Sequence, residues 1–138
     1  MELKKLNKET LGCRSKKGIA TITFTRRGLV ILSARAVEKL GLSLYTVTPD
    51  NYVDIFQGDR ISEFFISKGL TYRIRKNGEG GVVFNCISLC SLIMEKSWQV
   101  VPHAATEKMP DKFSFIICDN PIDDKENSGV FALLRKKV

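Results

Sequence analysis

The sequence predicts an α+β fold: a pseudo-twofold pair of ββββα units in the chain order ββα-ββββα-ββ, with curved antiparallel sheets and two helices packed between them. Three observations lead there. A glycine-led apolar strand running into a helix occurs twice, as GLVILS (28–33) and GGVVFN (80–85), 52 residues apart. Period-2 alternation marks further strands around both copies, as a half-buried sheet requires. Finally, the two strands that end the chain, joined to the ββα that begins it, make a second set of four strands and a helix, provided the termini meet at the surface.

Residues 1–17 are polar and lysine-rich and are expected to form a flexible basic arm. Residues 18–138 then form one domain of two intertwined repeats, 52–98 and 18–42 plus 113–138. In the first strand Ile22 and Phe24 alternate with Thr21, Thr23 and Thr25. Arg26-Arg27-Gly28 makes the turn, with glycine free to take a positive φ. LVILS follows, Ser33 caps a helix that runs through Leu40, and Gly41 stops it. Residues 43–51 connect to a third strand, YVDIF. EFFIS and TYRIRK flank Gly69 as a hairpin, and Asn77-Gly78 is the strongest short turn signal in the chain. VVFN leads through an Asn85 cap into a second, more apolar helix from Cys86 to about residue 96. A loop through Pro102 and Pro110 precedes a last hairpin of FSFIICD and VFALLRK.

The 138 residues are 43% hydrophobic and carry a formal net charge of +7, a balance that suits a packed core and a polyanionic partner. The N-terminal stretch lacks a signal-peptide pattern, and no apolar run is long enough to span a membrane, so a cytoplasmic location is expected. Cys13, Cys86, Cys90 and Cys118 lack C-x-x-C spacing; Cys86 and Cys90 share a helix face and read as core residues before metal ligands. The lone His103 has no acidic or thiol cluster near it in sequence. Asp119, Asp123 and Asp124 read as a polar hairpin loop, because calcium-loop spacing is missing. No phosphate loop, nucleophile–base pair or carboxylate dyad can be placed, so the expectation is a non-enzyme without cofactor or metal.

The repeated strand–helix segment resembles the single-stranded-DNA-binding fold of the positive-cofactor-four coactivators and their tandem Whirly relatives. Arg27 and GLVILS match the basic-Gly-apolar pattern; in the second copy Glu79 replaces the basic residue, and the lysine-glycine-lysine-alanine motif of Whirly proteins is absent. A second resemblance covers about a quarter of the chain. Arg27-Gly28, the helix after it and Leu40-Gly41-Leu42 look like the swapped-hairpin DNA-binding domain of transition-state regulators and antitoxins, although Leu32-Ser33 stands where those proteins have Ile-Pro. Both resemblances imply DNA binding, the first to single strands and the second to duplex.

Alternation supplies a candidate surface. Thr71, Arg73 and Arg75 share one strand face, opposite Tyr72 and Ile74. Arginines there can hold phosphates, and Phe56 and Phe65, each opposite the apolar residues of its own strand, can stack on bases. Arg26, Arg27 and Lys76 would hold phosphates at the turns, with Lys16 and Lys17 adding nonspecific attraction. The plainer reading makes the arginines a solvated strand face and the phenylalanines core. The expected function is non-catalytic binding of nucleic acid, single-stranded DNA first, in transcription regulation. The rivals are a swapped-hairpin duplex binder and a protein-interaction domain with a basic surface. A homo-oligomer is compatible with the sequence, and no membrane partner is expected.

Overall fold

The computed structural model describes residues 19–42, 51–76, 82–122 and 129–135. Nine strands and two helices follow from the local patterns in those residues. They are β1 (Thr21–Thr25), β2 (Leu29–Leu32), α1 (Ala34–Lys39), β3 (Tyr52–Gln57), β4 (Phe64–Lys68), β5 (Tyr72–Arg73), β6 (Arg75–Lys76), β7 (Val82–Asn85), α2 (Ile87–Val100), β8 (Lys112–Ile117) and β9 (Phe131–Arg135). Alternation works as expected in β1 and β8: Ile22, Phe24, Phe113, Phe115 and Ile117 are buried, while the residues between them face outward.

Assembly overturns the expected architecture. Among the described residues there are no two curved sheets with helices between them and no separate ββββα units. All nine strands join one antiparallel sheet in the order β5-β3-β4-β9-β8-β1-β2-β7-β6. Its outermost members, β5 and β6, are consecutive in the chain and separated only by the buried Ile74, so the sheet curls into a nearly closed barrel. The reason lies in partner choice. β1 pairs with β8, β3 with both β4 and β5, β4 with β9, and β2 with β7. Two of these ladders, β2–β7 and β4–β9, join one supposed unit to the other and leave nothing to separate them.

The pairing still has a twofold pattern, of a different kind. Phe24 lies opposite Val30, and Lys76 lies opposite Val82, each residue displaced by the same 52 positions. Ile31 lies opposite Val83, at the centre of the β2–β7 ladder. On either side, β1 meets β8 just as β5 meets β3, so each leading strand pairs with a strand from the other half. The halves are therefore ββαββ-like and exchange strands.

The stretch around Gly69 is a second correction. β4 and β5 do not form a hairpin; they flank β3 on opposite sides. The chain crosses β3 at residues 69–71, held by the Asp54 carboxylate, which accepts from Leu70 N at 3.0 Å and Thr71 N at 2.9 Å. A side chain at Gly69 would collide with Asp54, so glycine is what lets the crossing lie this close. These bonds, first among them one from the Thr71 side chain, hold the Asp54 carboxyl below the usual range, opposed in part by desolvation.

The barrel interior is the core. Phe115 meets Phe24 edge-on at 5.6 Å and Phe64 at 6.3 Å, bridging β8 to strands on either side. The helices sit at opposite ends, because α1 follows the end of β2 and α2 follows the end of its antiparallel neighbour β7. Ser33 caps α1 as expected, accepting from Ala36 N at 3.3 Å, and Gly41 takes a φ of 71° just past it. α2 is longer than expected and begins after Cys86, not Asn85, with no side-chain cap. It is held instead by burying Cys90, Ile93, Met94 and Ser97. The basic arm, the 43–50 connection and the Asn77-Gly78 turn lie outside the described residues, as do Lys16, Lys17, Asp123 and Asp124.

Candidate nucleic-acid interface

The β1–β2 turn is built by Thr25 and Gly28. Thr25 Oγ1 accepts from Leu29 N at 3.0 Å and donates to Leu29 O at 2.8 Å, while Gly28 N donates to Thr25 O. Gly28 takes a φ of 90° and lies against α2: a Cβ there would stand 2.9 Å from the Ile87 Cα. Cys86 N donates to Gly28 O at 2.8 Å, which fixes the turn to the start of that helix.

The turn presents Arg26 and Arg27, both exposed. Arg26 is tied to the loop before β8. Its backbone N donates to Asp111 O, its Nη2 donates to Met109 O at 2.7 Å, and its Nη1 lies 3.6 Å from the exposed Asp111 carboxylate. An exposed pair of that length contributes little stability. Lys112 lies directly opposite Thr25 and therefore shares its outward face, beside the turn. Sequence reading missed Lys112, because the pairing of β1 with β8 cannot be read from either strand alone.

Arg73 and Arg75 are exposed on either side of the buried Ile74, as alternation requires. Arg75 Nη2 donates to the Asn85 amide oxygen at 2.8 Å, and Asn85 lies opposite Leu29, the residue after the turn glycine. Arg75, Asn85, the Arg26–Arg27 turn and Lys112 thus occupy the neighbouring strands β6, β7, β2, β1 and β8. Lys76 is exposed one residue beyond Arg75, opposite Val82.

The aromatic candidates fall elsewhere. Phe56 and Phe65 lie directly opposite each other across β3 and β4, the first 41% exposed and the second half-buried. Arg73 pairs with Tyr52, four residues along β3 from Phe56, a separation of roughly 13 Å at strand rise. β9 and β8 stand between β4 and β1, so the aromatic pair is also set apart from the turn that carries Arg26 and Arg27.

Other ionisable groups lie elsewhere in the fold. Ser88 holds the Cys86 thiol below its ordinary value, partly opposed by burial, while burial pushes Tyr72 and Cys90 up. Cys90 is wholly buried in the core. Lys39 is engaged with Asp119 at 3.1 Å and with the carbonyls of Ile117 and Cys118. His103 stacks on Trp98 at 3.8 Å, with its Nδ1 2.6 Å from Val101 O. Among the described residues no group of three or more His, Cys, Asp or Glu side chains could hold a metal, and no helix is long and apolar enough to cross a membrane.

No protein-family model matches the chain, no curated protein matches it, and no solved structure matches it.

Proposed function

We propose that this protein binds nucleic acid without catalysis, with duplex DNA as the ligand, and that the Arg26–Arg27 turn, Arg75 and Lys112 form the contact. The observation that carries this reading is the run of exposed cations on adjoining strands around one tight turn. A twisted strand pair can present such a tip to the major groove while flanking cations meet phosphates. Exchange of strands between two halves is also what the likeness to swapped-hairpin regulators implies, here within one chain. The net charge of +7 favours the encounter.

The single-stranded reading needs aromatic platforms beside the cations. Its support is the outward pair Phe56 and Phe65, which sits apart from the turn. Polarisation of labelled duplex and single-stranded oligonucleotides, each at two salt concentrations, separates the readings. Tighter duplex binding is expected, with about four phosphate contacts giving a log–log salt slope near −4. Replacing Arg27 and Arg75 by alanine should weaken it about tenfold or more. Preference for single strands that is lost in Phe56→Ala would favour the second reading, and no binding to either at low salt would sink both.

A further inference from the structure

At the α2 end of the barrel a half-open cleft of about 250 Å³ is lined by Ser62, Ser97, Val100, Phe115, Leu133, Leu134 and Arg135. Its wall mixes apolar and polar surface, with the apolar side chains Val100, Phe115, Leu133 and Leu134 beside Ser62, Ser97 and Arg135. Two features set it apart from an ordinary packing gap. Ser97, on the buried face of α2, is only 1% exposed, and its Oγ has no hydrogen-bond partner among the described residues. A buried hydroxyl left unpaired is costly, so such a group is informative where it lines a cleft. Arg135 stands exposed at the rim and supplies a fixed positive charge. A cavity of about 150 Å³ already accepts a benzene ring, so this volume leaves room for a ring and one polar head.

We propose that this cleft binds a small apolar carboxylate of about benzoate size. The body lies against Val100, Phe115, Leu133 and Leu134, the carboxylate pairs with Arg135, and the Ser97 hydroxyl donates to it from within. A neutral ligand would leave the guanidinium unused, and a larger one would exceed the cleft. The inference is independent of the nucleic-acid reading, since none of these residues belongs to the proposed DNA contact.

Titration of the full chain with benzoate, and separately with benzyl alcohol, tests it by amide NMR shifts. Benzoate should give saturable shifts at Ser97, Val100 and Leu133 with a Kd of about 1 mM or tighter. Benzyl alcohol should bind about tenfold more weakly, as should benzoate to Arg135→Gln, through loss of the charge-assisted bond. Ser97→Ala should weaken benzoate binding while raising the melting temperature of the unliganded protein, because it removes an unpaired buried hydroxyl. Absence of saturable shifts, equal binding of the alcohol, or benzoate affinity unchanged in Arg135→Gln would each overturn the proposal. The Arg135 variant alters an exposed position, so it keeps the test open if the Ser97 variant fails to fold.

Discussion

The two strand–helix joints at 33 and 85 have similar sequences and different anchors. At the first, Ser33 Oγ accepts from both Ala36 N and Thr21 N, fastening a six-residue helix to β1. At the second, Asn85 turns outward to Arg75, and Cys86 occupies the cap position without a side-chain bond. There the backbone bond from Cys86 to Gly28 and the buried face of a 14-residue helix hold the joint. A short helix buries too little to hold itself and depends on its cap; a long one can release the cap residue for the surface.

Substitutions can break this contrast in order of expected effect. Gly28→Ala should be the most damaging, at about 3 kcal/mol, because a positive φ and contact with the Ile87 backbone act together. Urea unfolding would show it as a lower midpoint, and a neutral result would mean that the second joint does not depend on the close approach. Ser33→Ala should cost about 1–2 kcal/mol by the same measurement, since the cap and the acceptor for Thr21 N go together.

Asp54→Asn probes the link between the halves and should cost about 1 kcal/mol at neutral pH. The folded pKa of Asp54 is depressed, so its contribution is complete above the unfolded value of about 3.9 and fades as pH falls through the lower folded value. Unfolding curves of the two proteins should therefore converge on acidification; a gap that persists at low pH would assign the effect to something other than the charge. Asn85→Ala should change stability by no more than about 0.5 kcal/mol, the smallest effect of the series. If it matched Ser33→Ala, the two joints would be equivalent after all.

Much of the local structure was legible. Alternation in TITFT and FSFII, the Ser33 cap, and the glycines at 28 and 41 each act within a few residues, so the chain states them directly. Alternation also put Arg73 and Arg75 on the outside and Ile74 inside. Partner choice was not legible, because alternation says which face of a strand is buried and not which strand lies beside it. Gly69 looked like a hairpin turn for the same reason. Nothing near it in sequence reveals that Asp54 holds the chain as it crosses β3. The candidate site divided along this line: the outward facing of Arg73 and Arg75 follows from a single strand, while the position of Lys112 beside the turn emerged only from the ladders.

The seam at Ile74 has a consequence for how copies of this chain can meet. Among the described residues β5 pairs toward β3 and β6 toward β7, so the edge that each presents is two residues long. A flank that short offers an incoming strand almost no backbone donors and acceptors, and Arg73, Arg75 and Lys76 crowd it with charge. Growth by adding strands, the route to fibrils and to sheet-extended dimers, is therefore poorly served by these two short, charged edges.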